Sequence, residues 1–177
     1  MRHATLLLVG LFTIFGFAAQ RPPETSAPAA PNATSAPALS IKGVGLQDTK
    51  LTASDLAALP RRTVSVKDKD DAEVKYEGVT VQDVLTKAGM KFGQSMRGAR
   101  LRDYLLAESG ENYAVVYALP ELSDEFSDGV VLIADRANGA PITGRDGPLR
   151  VIATNDKKHA RWVRNVSSLS IHTAPER

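Results

Sequence analysis

The hydrophobic pattern changes period several times along the chain. It opens with a continuous apolar run, residues 4–19, behind the short basic start Met1-Arg2-His3. That run is shorter than the ~20 residues a bilayer span needs. The small residues Gly16, Ala18 and Ala19 close it as a cleavage site would, so residues 1–19 read as a signal peptide. Residues 20–39 are dominated by Pro, Ala, Ser and Thr and have no hydrophobic period, which predicts a disordered tether without a core of its own. The globular part is then expected over residues 40–173.

Within it, strand-like and helix-like periods alternate. Thr52-Ala53-Ser54-Asp55 reads as a capping box opening a short helix through Leu59, which Pro60 stops. Thr63–Val66 and Val74–Tyr76 alternate as strands around a charged turn and predict a hairpin. A second capping box, Thr80-Val81-Gln82-Asp83, starts a helix whose inner face is Val81, Val84, Leu85 and Ala88, with Gly89 just past its end. Tyr104–Ala107 and Tyr113–Ala118 flank Ser109-Gly110-Glu111-Asn112 as another hairpin. Val130–Ala134 is apolar throughout, as a central strand covered on both faces would be. Asn138-Gly139 and Gly147-Pro148 bracket a loop before strands at Leu149–Ala153 and Val166–Ile171. Strands and short helices without a regular βαβ period predict a single mixed α+β domain.

Composition narrows the chemistry by exclusion. The chain has no cysteine, so disulfides, thiolate-held metals and thiol nucleophiles are all excluded. With 22 Lys+Arg against 20 Asp+Glu and only 6% aromatic residues, it carries neither the broad basic field nor the stacking surface of a nucleic-acid binder. His3, His159 and His172 have no metal-ligand spacing, and neither a Walker loop nor a nucleophile elbow is present. No catalytic residue and no metal ligand is assigned from these patterns.

One polar run stands out. Asn155-Asp156-Lys157-Lys158-His159-Ala160-Arg161-Trp162-Val163-Arg164 places five basic side chains within eight residues, beside the only tryptophan. These residues suit an anion pocket walled by Trp162, with Lys158, His159 and Arg161 as binding groups and with Arg145 and Arg150, which flank Gly147-Pro148, adding charge from a neighbouring loop. The same run also suits a solvated basic loop in which Trp162 anchors the core.

The order of several short motifs resembles the molybdopterin-binding domain of the sulfite oxidase superfamily. They are Leu59-Pro60, Tyr76-Glu77-Gly78-Val79 with the helix that follows, Tyr113 in its hairpin, and the strand Val131–Ala134. Asn138-Gly139-Ala140-Pro141-Ile142, Gly147-Pro148-Leu149-Arg150 and Lys158-His159-Ala160-Arg161-Trp162-Val163 complete the series. The resemblance covers roughly residues 51–171 and implies that family's α+β fold. It also implies molybdopterin as the cofactor, with its phosphate near Lys158, His159, Arg161 and Arg150. In catalytic members a cysteine thiolate binds the molybdenum, and the corresponding stretch here, Val66–Asp71, supplies only Val, Lys and Asp.

Three functions are compatible with that departure. The first is an exported binding or accessory module for a small anion or pterin-like ligand, without molybdenum–thiolate catalysis. The second is a divergent oxidoreductase whose metal is held by an oxygen ligand such as Asp68 or Asp70. The third is a structural interaction domain with an envelope protein as its partner. Only one arginine precedes the apolar run, so the expected route is general secretion to the periplasm or medium, with no membrane span left after cleavage. That route threads an unfolded chain and carries no bound cofactor across.

Overall fold

The computed structural model describes residues 37–67 and 70–176. The signal segment, most of the tether and Asp68 lie outside the described residues. In chain order the elements are β1 (Pro37–Gly43), β2 (Thr49–Thr52), α1 (Ala53–Ala57), β3 (Arg61–Lys67), β4 (Glu73–Thr80), α2 (Val81–Lys87), β5 (Asp103–Ser109), β6 (Ala114–Ala118), β7 (Val131–Ala137), β8 (Ala140–Pro141), β9 (Arg150–Ala153) and β10 (Val166–Thr173). Short 3-10 turns join several of them, including His159–Arg161.

Local chemistry sets the helix starts. The Thr52 hydroxyl accepts from the Asp55 N–H at 3.1 Å, while the Asp55 carboxylate accepts from the Thr52 N–H at 2.8 Å, which is the reciprocal capping box. The Thr52 backbone and side chain together hold the Asp55 carboxyl below its ordinary range. At α2 the Thr80 hydroxyl accepts from the Asp83 N–H at 3.0 Å, and Gly89 follows the helix at a φ of +101°, a conformation that favours glycine. Val81, Val84 and Leu85 turn the inner face of α2 into the core.

The strands form two five-stranded sheets. One runs β2-β1-β10-β5-β6, with β1 and β10 parallel and the other neighbours antiparallel. In the other, β3 pairs with β4 and β4 with β7, while β8 and β9 both pair with β7. Leu132, Ile133 and Ala134 of β7 are buried whichever face they point to, which accounts for the unbroken apolar run. Gly78 of β4 lies opposite Ala134, and a Cβ there would sit 2.0 Å from the Ile133 carbonyl oxygen, so only glycine permits this strand contact.

The predicted strands and helices recur, with β3, β4, β5 and β10 longer than expected and α1, β6 and β9 shorter, and Asn138-Gly139 proves to be the tight turn of the β7–β8 hairpin. One boundary moves. Leu39, assigned from composition to the tether, is fully buried within β1, so this strand takes in the last residues of the stretch expected to be tether. A single leucine in a Pro/Ala-rich stretch carries no period, and its burial follows from the pairing of β1 with the distant β10.

Candidate functional site

The C-terminal basic run leaves β9, makes the 3-10 turn His159–Arg161, and returns along the same strand. The Val151 N–H donates to the Val163 carbonyl at 2.8 Å, which fixes Trp162 beside β9. Its ring is 3% exposed and its Nε1–H donates to the Ala153 carbonyl at 3.1 Å, so the polar edge of the indole is satisfied inside. The His159 ring stacks on Trp162 with centroids 3.7 Å apart and planes 16° from parallel. Tyr76 of β4 meets Trp162 edge-on at 6.1 Å.

Arg150 completes this cluster from β9. It is 8% exposed, and its guanidinium carbon lies 5.7 Å from the ring centroids of both Tyr76 and Trp162. One terminal nitrogen donates to the Tyr76 hydroxyl at 3.1 Å and reaches Asp146 at 3.3 Å. Its Nε is buried without a hydrogen-bond partner, the single such side-chain atom among the described residues. An orphaned donor on a buried cation is costly to the fold, and the charge itself is met by the Asp146 carboxylate.

Two open cavities share the His159 and Trp162 rings as a common wall. The larger, about 670 Å³, lies between the β3–β4 hairpin (Ser65, Val66, Lys67, Asp71) and the loop carrying Lys157 and Lys158. The smaller, about 380 Å³, is lined by Tyr113, Arg145 and Arg164 among others. Lys157 and Lys158 are exposed and have no ion-pair partner among the described residues. Thus Lys158 and His159 face the larger cavity, whereas Arg150 lies in the cluster behind it.

Arg161 faces elsewhere. Its Nε and Nη2 bind Asp156 in a fork at 3.1 and 2.6 Å, its Nη1 reaches Glu121 at 3.1 Å, and its guanidinium sits 4.7 Å over the Tyr117 ring. Hydrogen bonding to Asp156 holds its pKa above the ordinary arginine value, with Glu121 adding to the effect. The Tyr117 and Tyr113 hydroxyls donate to the Arg161 and Ala160 carbonyls, stitching the turn to β6 and its hairpin. Burial pushes the Tyr117 phenol above its ordinary range, which keeps this donor protonated. Arg161 therefore anchors the loop that presents Lys157, Lys158 and His159. Replacing it with alanine is expected to cost about 1–2 kcal/mol by urea denaturation, discounted for its partial exposure, through the loss of both carboxylate contacts. A loss below about 0.5 kcal/mol would mean that the clamp does not hold the loop.

The motifs did not point to Tyr76 as a partner of Arg150, nor to Asp156, Glu121 and Asp146 as the acids that hold the arginines. Asp70 is exposed in the hairpin turn, and no group of His, Asp or Glu among the described residues is spaced to hold a metal ion.

Residues 28–177 match the family model for the oxidoreductase molybdopterin binding domain, and the chain belongs to that family. No curated protein matches it closely enough to refine the assignment. The donor set suits only part of the family's cofactor. Lys157, Lys158 and His159 suit an anionic group, whereas a chain without cysteine has no thiolate to place on a metal.

Proposed function

We propose that this chain is an exported binding module of the family, holding a planar, anionic, pterin-like ligand in the larger cavity without molybdenum–thiolate catalysis. One observation carries the reading: two lysines without an ion-pair partner among the described residues and a stacked His159–Trp162 wall face the same cavity of about 670 Å³. The lysines attract and orient a phosphate or carboxylate, while the aromatic wall offers a flat ring an apolar surface. Export is supported by the basic start and the short apolar run that ends in small residues.

The test starts from protein isolated from its own cell. Elemental analysis for molybdenum is combined with pterin fluorescence after denaturation and with an intact mass to locate the mature N-terminus. The expected result is no stoichiometric molybdenum and a mass matching cleavage after Ala18 or Ala19. Stoichiometric molybdenum would overturn the binding-module reading. A mass retaining residues 1–19 would overturn cleavage.

A further inference from the structure

The larger cavity is lined unequally by charge. Lys157 and Lys158 come from the loop after β9, while the β3–β4 hairpin across from them contributes Ser65, Val66, Lys67 and Asp71. Two carboxylates belong to this lining, those of Asp71 and Asp156. Asp156 is committed, because the Arg161 guanidinium donates to it at 3.1 and 2.6 Å. Asp71 is not. Its carboxylate lies 3.7 Å from the Lys67 ammonium, beyond hydrogen-bond distance, and accepts no hydrogen bond among the described residues. Both side chains are exposed, so solvent leaves Lys67 only a weak hold on it.

A planar ligand in this cavity meets lysines from one wall, the His159–Trp162 rings beside them, and a carboxylate from the other wall. An anionic tail satisfies the lysines alone. A carboxylate accepts and does not donate, and its two oxygens match two parallel N–H groups. A 2-amino-4-oxo pyrimidine edge carries such a pair, one N–H on the ring nitrogen and one on the neighbouring amine. A 2,4-dioxo edge puts a carbonyl oxygen where the amine would be, so two acceptors face each other with no proton between them.

We propose that Asp71 reads the ring edge of the ligand and selects a 2-amino-4-oxo pteridine over a 2,4-dioxo one. This role rests on the binding-module reading above and adds to it the residue that sets ring specificity. Lys157 and Lys158 hold the anionic tail, and Asp71 on the opposite wall takes the donor pair. Charge alone gives Asp71 the opposite effect, since removing an acid from a cavity that binds an anion strengthens binding. The sign of the change therefore separates the two roles.

Titration calorimetry with pterin-6-carboxylate and lumazine-6-carboxylate, which differ in the amino or oxo group at the 2-position, tests it on the protein isolated from its cell. Wild type should bind the pterin about tenfold more tightly, the effect of a charge-assisted pair discounted for exposure. Asp71→Asn and Asp71→Gly are the variants, because both residues tolerate the φ of +58° at this position. In each, the pterin should bind more weakly than to wild type and the lumazine at least as well, which removes the preference. Equal affinity of wild type for the two ligands would overturn the role of Asp71 and leave the binding module standing. So would a preference for the pterin that survives in Asp71→Asn, or tighter pterin binding in that variant. Binding of neither ligand to wild type would overturn the module itself, and the role of Asp71 with it.

Discussion

Replacing Trp162 with alanine is expected to lower the unfolding free energy by about 3–5 kcal/mol, the range for emptying an aromatic core position. The size follows from what the ring does. It is 3% exposed, its Nε1–H satisfies the Ala153 carbonyl, Tyr76 packs its edge, and both His159 and the Arg150 guanidinium lie against it. Removing it leaves a void, takes one of its two donors from the Ala153 carbonyl, which keeps the Asp156 N–H at 3.2 Å, and leaves a buried cation with one aromatic neighbour fewer. For a domain of this size the corresponding fall in melting temperature is about 6–20 °C. Trp162→Phe separates the contributions, since it keeps a ring and loses the donor, and should cost about 1–3 kcal/mol. Trp162 is the only tryptophan, so the transition is followed by circular dichroism rather than fluorescence. A loss below about 1.5 kcal/mol for the alanine variant would show that the residue is a surface wall and not part of the core.

That double position, core on one side and cavity wall on the other, explains what the sequence revealed and what it concealed. The elements were legible wherever local chemistry decides them. Thr52 and Asp55 cap each other within four residues, the period of α2 places Val81, Val84 and Leu85 inward, and the apolar run at Val131–Ala134 marks a strand covered on both faces. The parallel pairing of β1 with β10 was not legible, because it joins residues more than a hundred positions apart and leaves no local period. The basic run showed the same division. It stood out by charge density, and its order beside Trp162 suggested an anion pocket, but charge density does not say which cations have partners. Arg161 takes Asp156 from its own loop and Glu121 from a turn 40 residues away. Lys157 and Lys158, four and three positions before it, take none among the described residues. Arg150 was picked for its charge, and its burial between Tyr76 and Trp162 emerged only with β4 and β9 in place.

Exchanging Lys157 and Lys158 together for glutamine should then remove ligand binding while leaving the fold intact. Both side chains are exposed and have no ion-pair partner among the described residues, so the stability change should stay within about 0.5 kcal/mol. Each lysine lost takes away a charge-assisted contact of about 1.5–3 kcal/mol with a bound anion, and solvent screening brings the pair nearer to a ten- to hundredfold loss of affinity. Three probes measured by titration calorimetry resolve the parts of the site: pterin-6-carboxylate, which has both ring and charge, neutral pterin, and inorganic phosphate. Wild type should bind the first most tightly, with an affinity that falls as salt is raised. The double variant should bind pterin-6-carboxylate no better than neutral pterin and show a flatter salt dependence, because the screened interaction is the one removed. Equal affinity of wild type and variant for pterin-6-carboxylate would place the anion away from these lysines, and the arginine-lined cavity across the His159–Trp162 wall would become the site to test. No binding of any probe to wild type would leave the basic loop as a solvated surface and remove the ground for a ligand-binding module.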